Sequence, residues 1–443
     1  MRYLLVIIIL LQQSISFGTD VNAKSVGAKG DGVQDDTPYL NLALENALSQ
    51  GVNLFIPAGT YKCNQFTTGS GSAAIIQMDQ QGIKTIKIYG ESGTKITTEQ
   101  DSGCILYIFY QNSNVILDNI FFENTHDTIQ TQTNAIQLAG LNQNAIQNLT
   151  IQNCTFEGFS TAISAQGVKG LIIQNNLFQS PKGHDNAQNN TQPAVYIWLA
   201  DNANGQCYNV TIQNNTANGF TGSNISNTIT KRAMDGFVYG TGYGITIQGN
   251  TTQNLSEEHI AIQPQVTSPN TTDSVVITGN KFFEYIPLGS FRGDGTPLVS
   301  NYGVRADCNN VTITNNDFYS YTQGVLVYPF QYPNLKQYNY KIVKNRFYSP
   351  NSSIFDVSEA IKVQAPSANP ASNITVSENF IDVELIQMKS SRSTISIYDC
   401  DKVNIIDNYI FGQKIDLNGF TISGILTQSC TNVVNVSNEI TFK

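Results

Sequence analysis

The feature that most constrains the fold is a short motif that recurs along most of the chain. In each copy, two apolar residues two positions apart are followed by a turn marked by Asn and then by another apolar residue, as in NVTIQNNTAN from Asn209 and NVTITNNDFY from Asn310. One Asn keeps the same motif position, at intervals of 29 to 39 residues, at Asn176, Asn215, Asn250, Asn280, Asn316, Asn345, Asn379, Asn408 and Asn438. A unit of this length cannot bury its own apolar face, so the units are expected to stack on one another.

A second short strand precedes each copy after a turn of variable length. It reads, for example, AIQL from Ala135, AVYI from Ala194 and GVRA from Gly303. Two or more strands per coil of about 30 residues, with hardly any helical pattern, predict an all-β protein, a single-stranded right-handed parallel β-helix. In such a stack the aligned Asn residues are expected to form a hydrogen-bonded ladder along the turns.

The first residues have the pattern of an export signal. Arg2 precedes an apolar run from Leu4 to Leu11, and Ser16-Phe17-Gly18 has the small-x-small form of a cleavage site. We predict a signal peptide over residues 1–18, a secreted or periplasmic protein, and one β-helix domain over 19–443, of which 19–62 form the N-terminal cap and the first strands. The apolar run is too short to span a bilayer, so no membrane partner is expected.

An acid pair, Asp35-Asp36, stands directly before TPYLNLALENAL. Thr37 and Pro38 suit a helix start, and an apolar stripe at helical spacing follows at Leu40, Leu44, Ala47 and Leu48. A short amphipathic helix of this kind can cover the open end of a β-helix. We therefore interpret the two acids as cap and turn residues rather than as catalytic groups.

The same segment carries a family resemblance. VGAKGDGVQDDTPYLNLALENA and, shortly after it, VNLFIPAGTYK (within Val26 to Lys62) resemble the N-terminal signature of the pectate-lyase-like, rhamnogalacturonase/epimerase-type β-helix superfamily. The resemblance implies a right-handed β-helix and, usually, action on polysaccharides. Because that superfamily holds hydrolases, lyases, epimerases, tailspike depolymerases and non-enzymes, it leaves the reaction open. It also leaves a homotrimer open, since many such β-helices act as trimers.

The composition indicates which classes of binding partner are expected. Charged residues make up 13 % of the chain and the formal net charge is −9. An acidic chain with few charges argues against a nucleic-acid partner, which would need a basic stripe, and it mildly disfavours a highly anionic glycan. The sequence contains no dense Asp cluster of the kind that binds calcium, although a calcium site formed by residues of several coils is left open. No other cofactor is evident.

The 7 cysteines are scattered without CxxC spacing, so a zinc site is not expected. Cys400 and Cys430 occupy equivalent places on successive coils, within reach of a disulfide. Whether they pair or stay free thiols is left open.

The outward residues of the second strand type should form a groove along the long axis. They are expected at Gln137, Ser164, Tyr196, Val238, Ala261, Arg305, Leu326, Lys362, Ser396 and Leu426, with a second set at Trp198, Gln263, Asp307, Tyr328, Gln364 and Tyr398. Aromatic, amide and charged groups in one open groove suit sugar rings. A polysaccharide is the expected partner, with Tyr196, Trp198 and Tyr328 among the residues that bind it.

Titratable groups concentrate in the middle of this stripe. Asp235 and Glu258 each stand two residues before an inward residue, which predicts equivalent places on successive coils and carboxylates about 5 Å apart, as in retaining glycosidases. His259, Arg305 and Asp307 are expected on the same or the next coil as further catalytic candidates. The expected substrate-binding residues nearby are Lys231, Arg232 and Glu257. The structural alternative is that these acids cap turns at strand ends.

A shorter resemblance suggests a different chemistry. DGFV from Asp235, followed one coil later by Glu258-His259, is similar to coils of mannuronan C5-epimerases. That family's Asp-Pro-His-Glu-Gln motif should lie one coil earlier, where this chain reads AVYIWLADNA. The Asn-Thr-Asp, Gly-His-Gly and Arg-Ile-Lys motifs of polygalacturonases are absent as well.

The leading hypothesis is therefore a secreted glycoside hydrolase, with two alternatives. One is a lyase or C5-epimerase on uronate glycans, in which Lys231, Arg232 or Arg305 neutralises the substrate carboxylate and a Tyr takes part. The other is a non-catalytic, adhesive glycan-binding β-helix, which the missing family motifs favour.

Overall fold

Three long parallel sheets make up most of the described structure. The computed structural model describes residues 19–65, 74–78, 85–109, 113–126, 133–140, 145–179, 194–198, 207–219, 236–255, 258–263, 273–283, 302–319, 323–328, 337–348, 359–383, 392–412 and 422–442. Its strands, numbered β1 to β40 in chain order, form sheets A and B with 14 strands each and sheet C with 12. From β3 onward the chain visits A, B and C in turn, so each circuit is one coil of a right-handed parallel β-helix, as the sequence predicted.

Sheet A consists of β1 (Val21–Asn22), β3 (Leu54–Ile56), β6 (Ile86–Gly90), β9 (Ser113–Asp118), β12 (Ile146–Gln152), β15 (Val168–Gln174), β18 (Tyr208–Gln213), β21 (Tyr243–Gln248), β24 (Asp273–Thr278), β27 (Asn309–Thr314), β30 (Tyr338–Val343), β33 (Ala371–Ser377), β36 (Cys400–Ile406) and β39 (Thr431–Val436). Sheet B consists of β2 (Asp31–Asp35), β4 (Gly59–Lys62), β7 (Thr94–Thr98), β10 (Phe121–Asn124), β13 (Thr155–Glu157), β16 (Leu177–Gln179), β19 (Thr216–Asn218), β22 (Thr251–Gln253), β25 (Lys281–Phe283), β28 (Asp317–Tyr319), β31 (Arg346–Tyr348), β34 (Phe380–Val383), β37 (Tyr409–Gly412) and β40 (Glu439–Phe442).

Sheet C consists of β5 (Ala74–Met78), β8 (Gly103–Phe109), β11 (Thr133–Ala139), β14 (Thr161–Gln166), β17 (Val195–Trp198), β20 (Val238–Gly240), β23 (Glu258–Ile262), β26 (Tyr302–Ala306), β29 (Gln323–Val327), β32 (Ile361–Gln364), β35 (Arg392–Tyr398) and β38 (Ile422–Gln428). Inward side chains of all three sheets form one continuous apolar core along the axis. Each inward residue packs on its counterpart one coil away, because parallel strands keep equivalent residues in register.

The N-terminal end is closed by helix α1 (Thr37–Gln50), preceded by a 3-10 turn at Ala23–Val26. The predicted stripe of Leu40, Leu44, Ala47 and Leu48 is buried, and the helix contacts β1, β3 and β5. The acid pair is architectural, as predicted. Asp35 Oδ1 accepts from the backbone N–H of Thr37 at 3.0 Å, and the buried carboxylate of Asp36 accepts from the backbone N–H groups of residues 29 and 30 at 2.8 and 3.0 Å.

The predicted Asn ladder is confirmed. From Asn215 to Asn438, each Asn Oδ1 accepts from the backbone N–H of the preceding ladder Asn at 2.9 to 3.1 Å. Ladder residues as far as Asn408 are fully or nearly fully buried. The residue just before each has a left-handed backbone, for instance Asn214 at φ 55° and Asn315 at φ 55°. The turn from sheet A to sheet B therefore needs only two residues, and the ladder satisfies its buried amides.

The connections next to sheet C are much less uniform. Residues 180–194, 199–207, 219–237, 263–272 and 284–301 separate consecutive strands on either side of β17, β20, β23 and β26. Sheet A meets sheet B through two-residue turns on the same coils. Long connections, at residues 180–194, 219–237 and 284–301, thus border the middle of sheet C. Loops on a rigid scaffold are where binding residues concentrate.

A stack of inward Phe rings in sheet B is interrupted at this same level. Phe156 and Phe178 stack with centroids 5.0 Å apart, and Phe318 and Phe347 stack at 4.6 Å. Between these two groups, the register puts Ala217 and Thr252 in place of Phe. Phe237 and His259, at the corner that enters sheet C, fill the space instead, with centroids 5.7 Å from Phe178 and Phe282, respectively.

Candidate functional site

The centre of sheet C presents aromatic and charged side chains on its outer face. The register aligns Tyr196 with Tyr239, Tyr239 with Ala261, and Ala261 with Arg305, each on the next strand. The rings of Tyr196 and Tyr239 lie 5.6 Å apart, and both side chains are half-buried. This row of outward positions runs across the candidate site from Tyr196 to Arg305.

The outward expectation for Val238 was wrong by one residue. Val238 is 0 % exposed and points into the core, while Tyr239 takes the outward place. The segment GFVY has three consecutive apolar residues, so alternation alone does not fix which of them faces out. The dipeptide Val-Tyr shared by AVYI and GFVY is the signal that would have aligned Tyr196 with Tyr239.

Arg305 is the centre of an ion-pair network. Its Nε donates to Asp307 Oδ2 at 2.8 Å, and its Nη1 lies 3.5 Å from Glu258 Oε1. With its amide oriented to satisfy both neighbours, Gln263 accepts from Arg305 Nε and Nη1 at 3.0 and 3.2 Å and donates to Tyr239 Oη at 3.0 Å. The network links five side chains that lie in or directly after three neighbouring strands, β20, β23 and β26. The sequence analysis placed Gln263 in the outward groove but did not connect it to Arg305, and it did not name Tyr239.

The members of the network differ in access to solvent. The side chains of Glu258 and Arg305 are each 15 % exposed, whereas Asp307 is 0 % exposed. Asp307 also accepts from the backbone N–H of Tyr328 at 2.7 Å. Because both oxygen atoms of Asp307 are held inside the protein, we correct its expected catalytic role: it positions Arg305 and does not itself reach a bound glycan.

Burial and pairing act in opposite directions on these groups. Burial raises the pKa of Asp307 above its ordinary value, although Arg305 and the Tyr328 N–H favour the charged form. For Arg305, burial disfavours the cation, but attraction from Asp307 and Glu258 outweighs it, so the pKa of Arg305 is raised. The guanidinium therefore stays charged and fixes the carboxylate of Glu258 at the surface.

His259 does not belong to the site. It is 0 % exposed, its Nδ1 lies 2.5 Å from Thr252 Oγ1, and its ring packs edge-on against Phe282. Burial lowers its pKa to about 3. The expectation that His259 is a catalytic candidate is corrected, because this residue points inward and takes the place of a missing Phe.

The expected pairing of Asp235 with Glu258 rested on a register that is also off by one residue. Val238 aligns with Ile260, so Gly236 is the residue beside Glu258. Asp235 itself lies outside the described residues, as do Lys231, Arg232 and Glu257. The backbone of Trp198 continues β17, but its side chain lies outside the described part of the chain. Tyr328 is half-buried at the end of β29.

A second acid–base pair lies further along the same face. Lys362 Nζ is 3.8 Å from Glu359 Oε2 and 5.8 Å from the centroid of the Tyr398 ring. Glu359 is 4 % exposed and also accepts from Gln323 Nε2 at 3.1 Å. The strand pattern predicts that Lys362 faces outward, but no motif in the chain indicates its pairing with Glu359.

The described residues offer no group of three or more His, Cys, Asp or Glu side chains that could hold a metal ion. Within the same ranges, no helix has the length and apolar character required to cross a membrane.

Comparison with known proteins places this fold in a family. A family model described as rhamnogalacturonase A/epimerase, pectate lyase-like, matches residues 20–282. The chain belongs to this family. No curated protein sequence shows significant similarity to it.

Solved structures with a similar fold have diverse titles. The A-module of a mannuronan C-5 epimerase from Azotobacter vinelandii is 16 % identical, with a TM-score of 0.61 over 94 % of this chain and 99 % of that one. A surface adhesin of Streptococcus pneumoniae is 16 % identical, with a TM-score of 0.62 over 96 % and 93 %. An exopolygalacturonase from Thermotoga maritima is 11 % identical, with a TM-score of 0.55 over 84 % of this chain and 88 % of that one. At such identities the similarity shows the fold alone.

Proposed function

We propose that this protein is an exported glycoside hydrolase that cleaves a polysaccharide on the outer face of sheet C. The observation that carries the proposal is the network of Glu258, Arg305 and Asp307 on that face, in a chain with only 13 % charged residues. Such isolated, partly buried charge clusters are typical of functional sites. The neighbouring tyrosines and the inserted connections on both sides of sheet C support the same location.

Glu258 is the proposed central carboxylate. Hydrolysis of a glycosidic bond uses two carboxyl groups, one that protonates the leaving oxygen and one that attacks the anomeric carbon or activates water. Glu258 meets the requirement of access, because its side chain is partly exposed while Arg305 holds it in place. Asp307 does not meet it, because it is fully buried.

Asp235 is the proposed second carboxylate. It directly precedes Gly236, and a Cβ at Gly236 would come within 2.4 Å of the backbone oxygen of Glu258. The position of Gly236 beside Glu258 supports the proposal that the carboxylate of Asp235 acts together with Glu258. Tyr196 and Trp198 are proposed as the platform for sugar rings, and Lys231, Arg232, Glu257 and Tyr328 as further sugar contacts.

A non-catalytic glycan-binding role is the second candidate. It is favoured by one observation: the two described carboxylates of the network bind the same guanidinium, an arrangement that can serve hydrogen bonding to sugar hydroxyls without any proton transfer. In that case the aromatic residues should dominate affinity, and Trp198→Ala should matter more than any change at Glu258.

The test is a screen of the purified protein against neutral and uronate polysaccharides, reading new reducing ends and ultraviolet absorbance together. We expect reducing ends without absorbance, and a loss of at least about 100-fold in Glu258→Gln and Asp235→Asn. Glu123→Gln, which alters an acid paired with Lys95 on sheet B, is the matched control. Absorbance from a new double bond would establish a lyase instead, and binding without products would establish the second candidate.

A further inference from the structure

We infer that the outer face of sheet C recognises an uncharged glycan rather than a polyuronate. This inference rests on the proposed function only in taking a glycan as the ligand. It concerns the chemical class of that glycan, which follows from how the charges on this face are already used.

The described charged side chains of this face have no net positive charge. The described side chains on this face or directly beneath it include three acids, Glu258, Asp307 and Glu359, and two bases, Arg305 and Lys362. The sum is negative when all are ionised, and it is zero when the buried Asp307 is protonated. The whole chain adds a net charge of −9, which opposes the approach of a polyanion.

Both bases are already neutralised by protein carboxylates. Nε of Arg305 binds Asp307 at 2.8 Å, and Nη1 faces Glu258 at 3.5 Å, so the edge of the guanidinium that joins these two nitrogen atoms is occupied. The oxygen of Gln263 lies 3.0 and 3.2 Å from the same two nitrogen atoms. Lys362 is engaged by Glu359 and lies over Tyr398. A uronate carboxylate would have to displace one of these acids or lie against it, and like charges at such a distance repel.

Sugar hydroxyls meet no such obstacle. The partly exposed carboxylate of Glu258 can accept hydrogen bonds from hydroxyl groups, and charge-assisted hydrogen bonds of this kind are strong. The second pair, Glu359 with Lys362, lies two strands beyond Arg305, about 10 Å along the axis. The face therefore has two ion pairs in which the acid and the base neutralise each other. Their spacing allows them to bind successive sugar units of an uncharged glycan.

The test compares polymers that differ only in their carboxyl groups: polygalacturonate and alginate, each beside its carboxyl-reduced form, in affinity electrophoresis at low salt. We expect the reduced form of at least one pair to bind at least about tenfold more tightly than the uronate form. A uronate form that binds more tightly than its reduced form would overturn the inference and leave the proposed function standing. Binding to neither form of either pair would overturn both.

A charge variant provides the second arm. Glu258→Gln removes one negative charge and releases Nη1 of Arg305, so its affinity for galacturonate oligosaccharides should rise several-fold above that of the wild type. The control Glu123→Gln removes the same charge far from this face and should leave that affinity unchanged. An equal effect of the two variants, or no gain in Glu258→Gln, would contradict the inference.

Discussion

His259 and Thr252 together fill the space that a Phe side chain fills on other coils. Their contact, between Nδ1 and Oγ1 at 2.5 Å, lies wholly inside the core, beside Phe282. One coil earlier, Ala217 and Phe237 fill the same space. The interior thus conserves volume from coil to coil by exchanging a large and a small residue between two inner positions, as close packing requires.

Acid should destabilise the fold through His259. Its pKa is 6.5 when unfolded and about 3 when buried, so below pH 6.5 the unfolded state binds more protons. The contribution of His259 to the free energy of unfolding is therefore fully present above pH 6.5. It decreases as the pH falls, and the loss reaches about 2 kcal/mol at pH 5. Thermal unfolding midpoints measured from pH 7 to 5 should show this loss.

The matched variant for that measurement is Thr252→Ala with His259→Phe, which copies the pair Ala217 and Phe237. It should remove most of the pH dependence that the wild type shows above pH 5. His126→Gln, at a half-buried turn histidine, is the control and should retain it. A double variant with the same pH slope as the wild type would show that other groups cause the loss.

Asn280→Ala should be strongly destabilising. Asn280 Oδ1 accepts from the backbone N–H and from Nδ2 of Asn250, both at 2.9 Å, and the site is buried. The substitution leaves two buried donors without their acceptor, at a cost of about 2–4 kcal/mol. Gln248→Ala removes a half-buried side chain of sheet A whose Nε2 donates to Gln213 Oε1 at 2.6 Å, and it should cost less than about 1 kcal/mol. Similar unfolding midpoints for the two variants would refute the structural role of the inner ladder.

The two acids that bind Arg305 should differ in their importance for stability. Asp307→Asn breaks an ion pair at 2.8 Å whose carboxylate is fully buried, and it should cost about 3 kcal/mol. Glu258→Gln weakens a partly exposed contact at 3.5 Å and should cost less than about 1 kcal/mol. Denaturant unfolding of both variants tests this order. The reverse order would mean that Glu258, not Asp307, anchors the guanidinium.

Cys400 and Cys430 should form a disulfide under mild oxidation. The structure has both as free thiols, but the register puts them side by side on adjacent strands, because Asp401 aligns with Thr431. Neighbouring strands are about 4.8 Å apart, within the range that a disulfide spans. With oxidised glutathione as the oxidant, a thiol titration should lose two of the seven thiols, and the unfolding midpoint should rise.

Cys430→Ser should abolish both effects. An oxidised wild-type protein that still titrates seven thiols would contradict the prediction. The disulfide would tie down the last described coil. This coil pairs with only one described neighbour, and most of its residues from 431 to 442 are exposed.

The repeat in the sequence was enough to predict the β-helix, the Asn ladder and the capping helix. These features depend on local periodicity and on one residue type at a constant motif position, both of which are visible in the chain. The segment VNLFIPAGTYK shows what the repeat does not predict: it forms two strands, β3 and β4, around a corner at Pro57-Ala58. Corners are short and carry no period, so they escape this kind of reasoning.

The candidate site depended on the corners. The sequence alone determined that Glu258, Arg305 and Asp307 lie on neighbouring coils of one sheet, because the repeat sets which strands stack. Only the tertiary structure decided that His259 points inward, that Tyr239 and not Val238 faces out, and that Gly236 and not Asp235 aligns with Glu258. The physical reason is that the register at each corner is set by volume packing between coils, here the exchange of Phe for Thr252 and His259, and a shift of one residue turns a side chain to the other face.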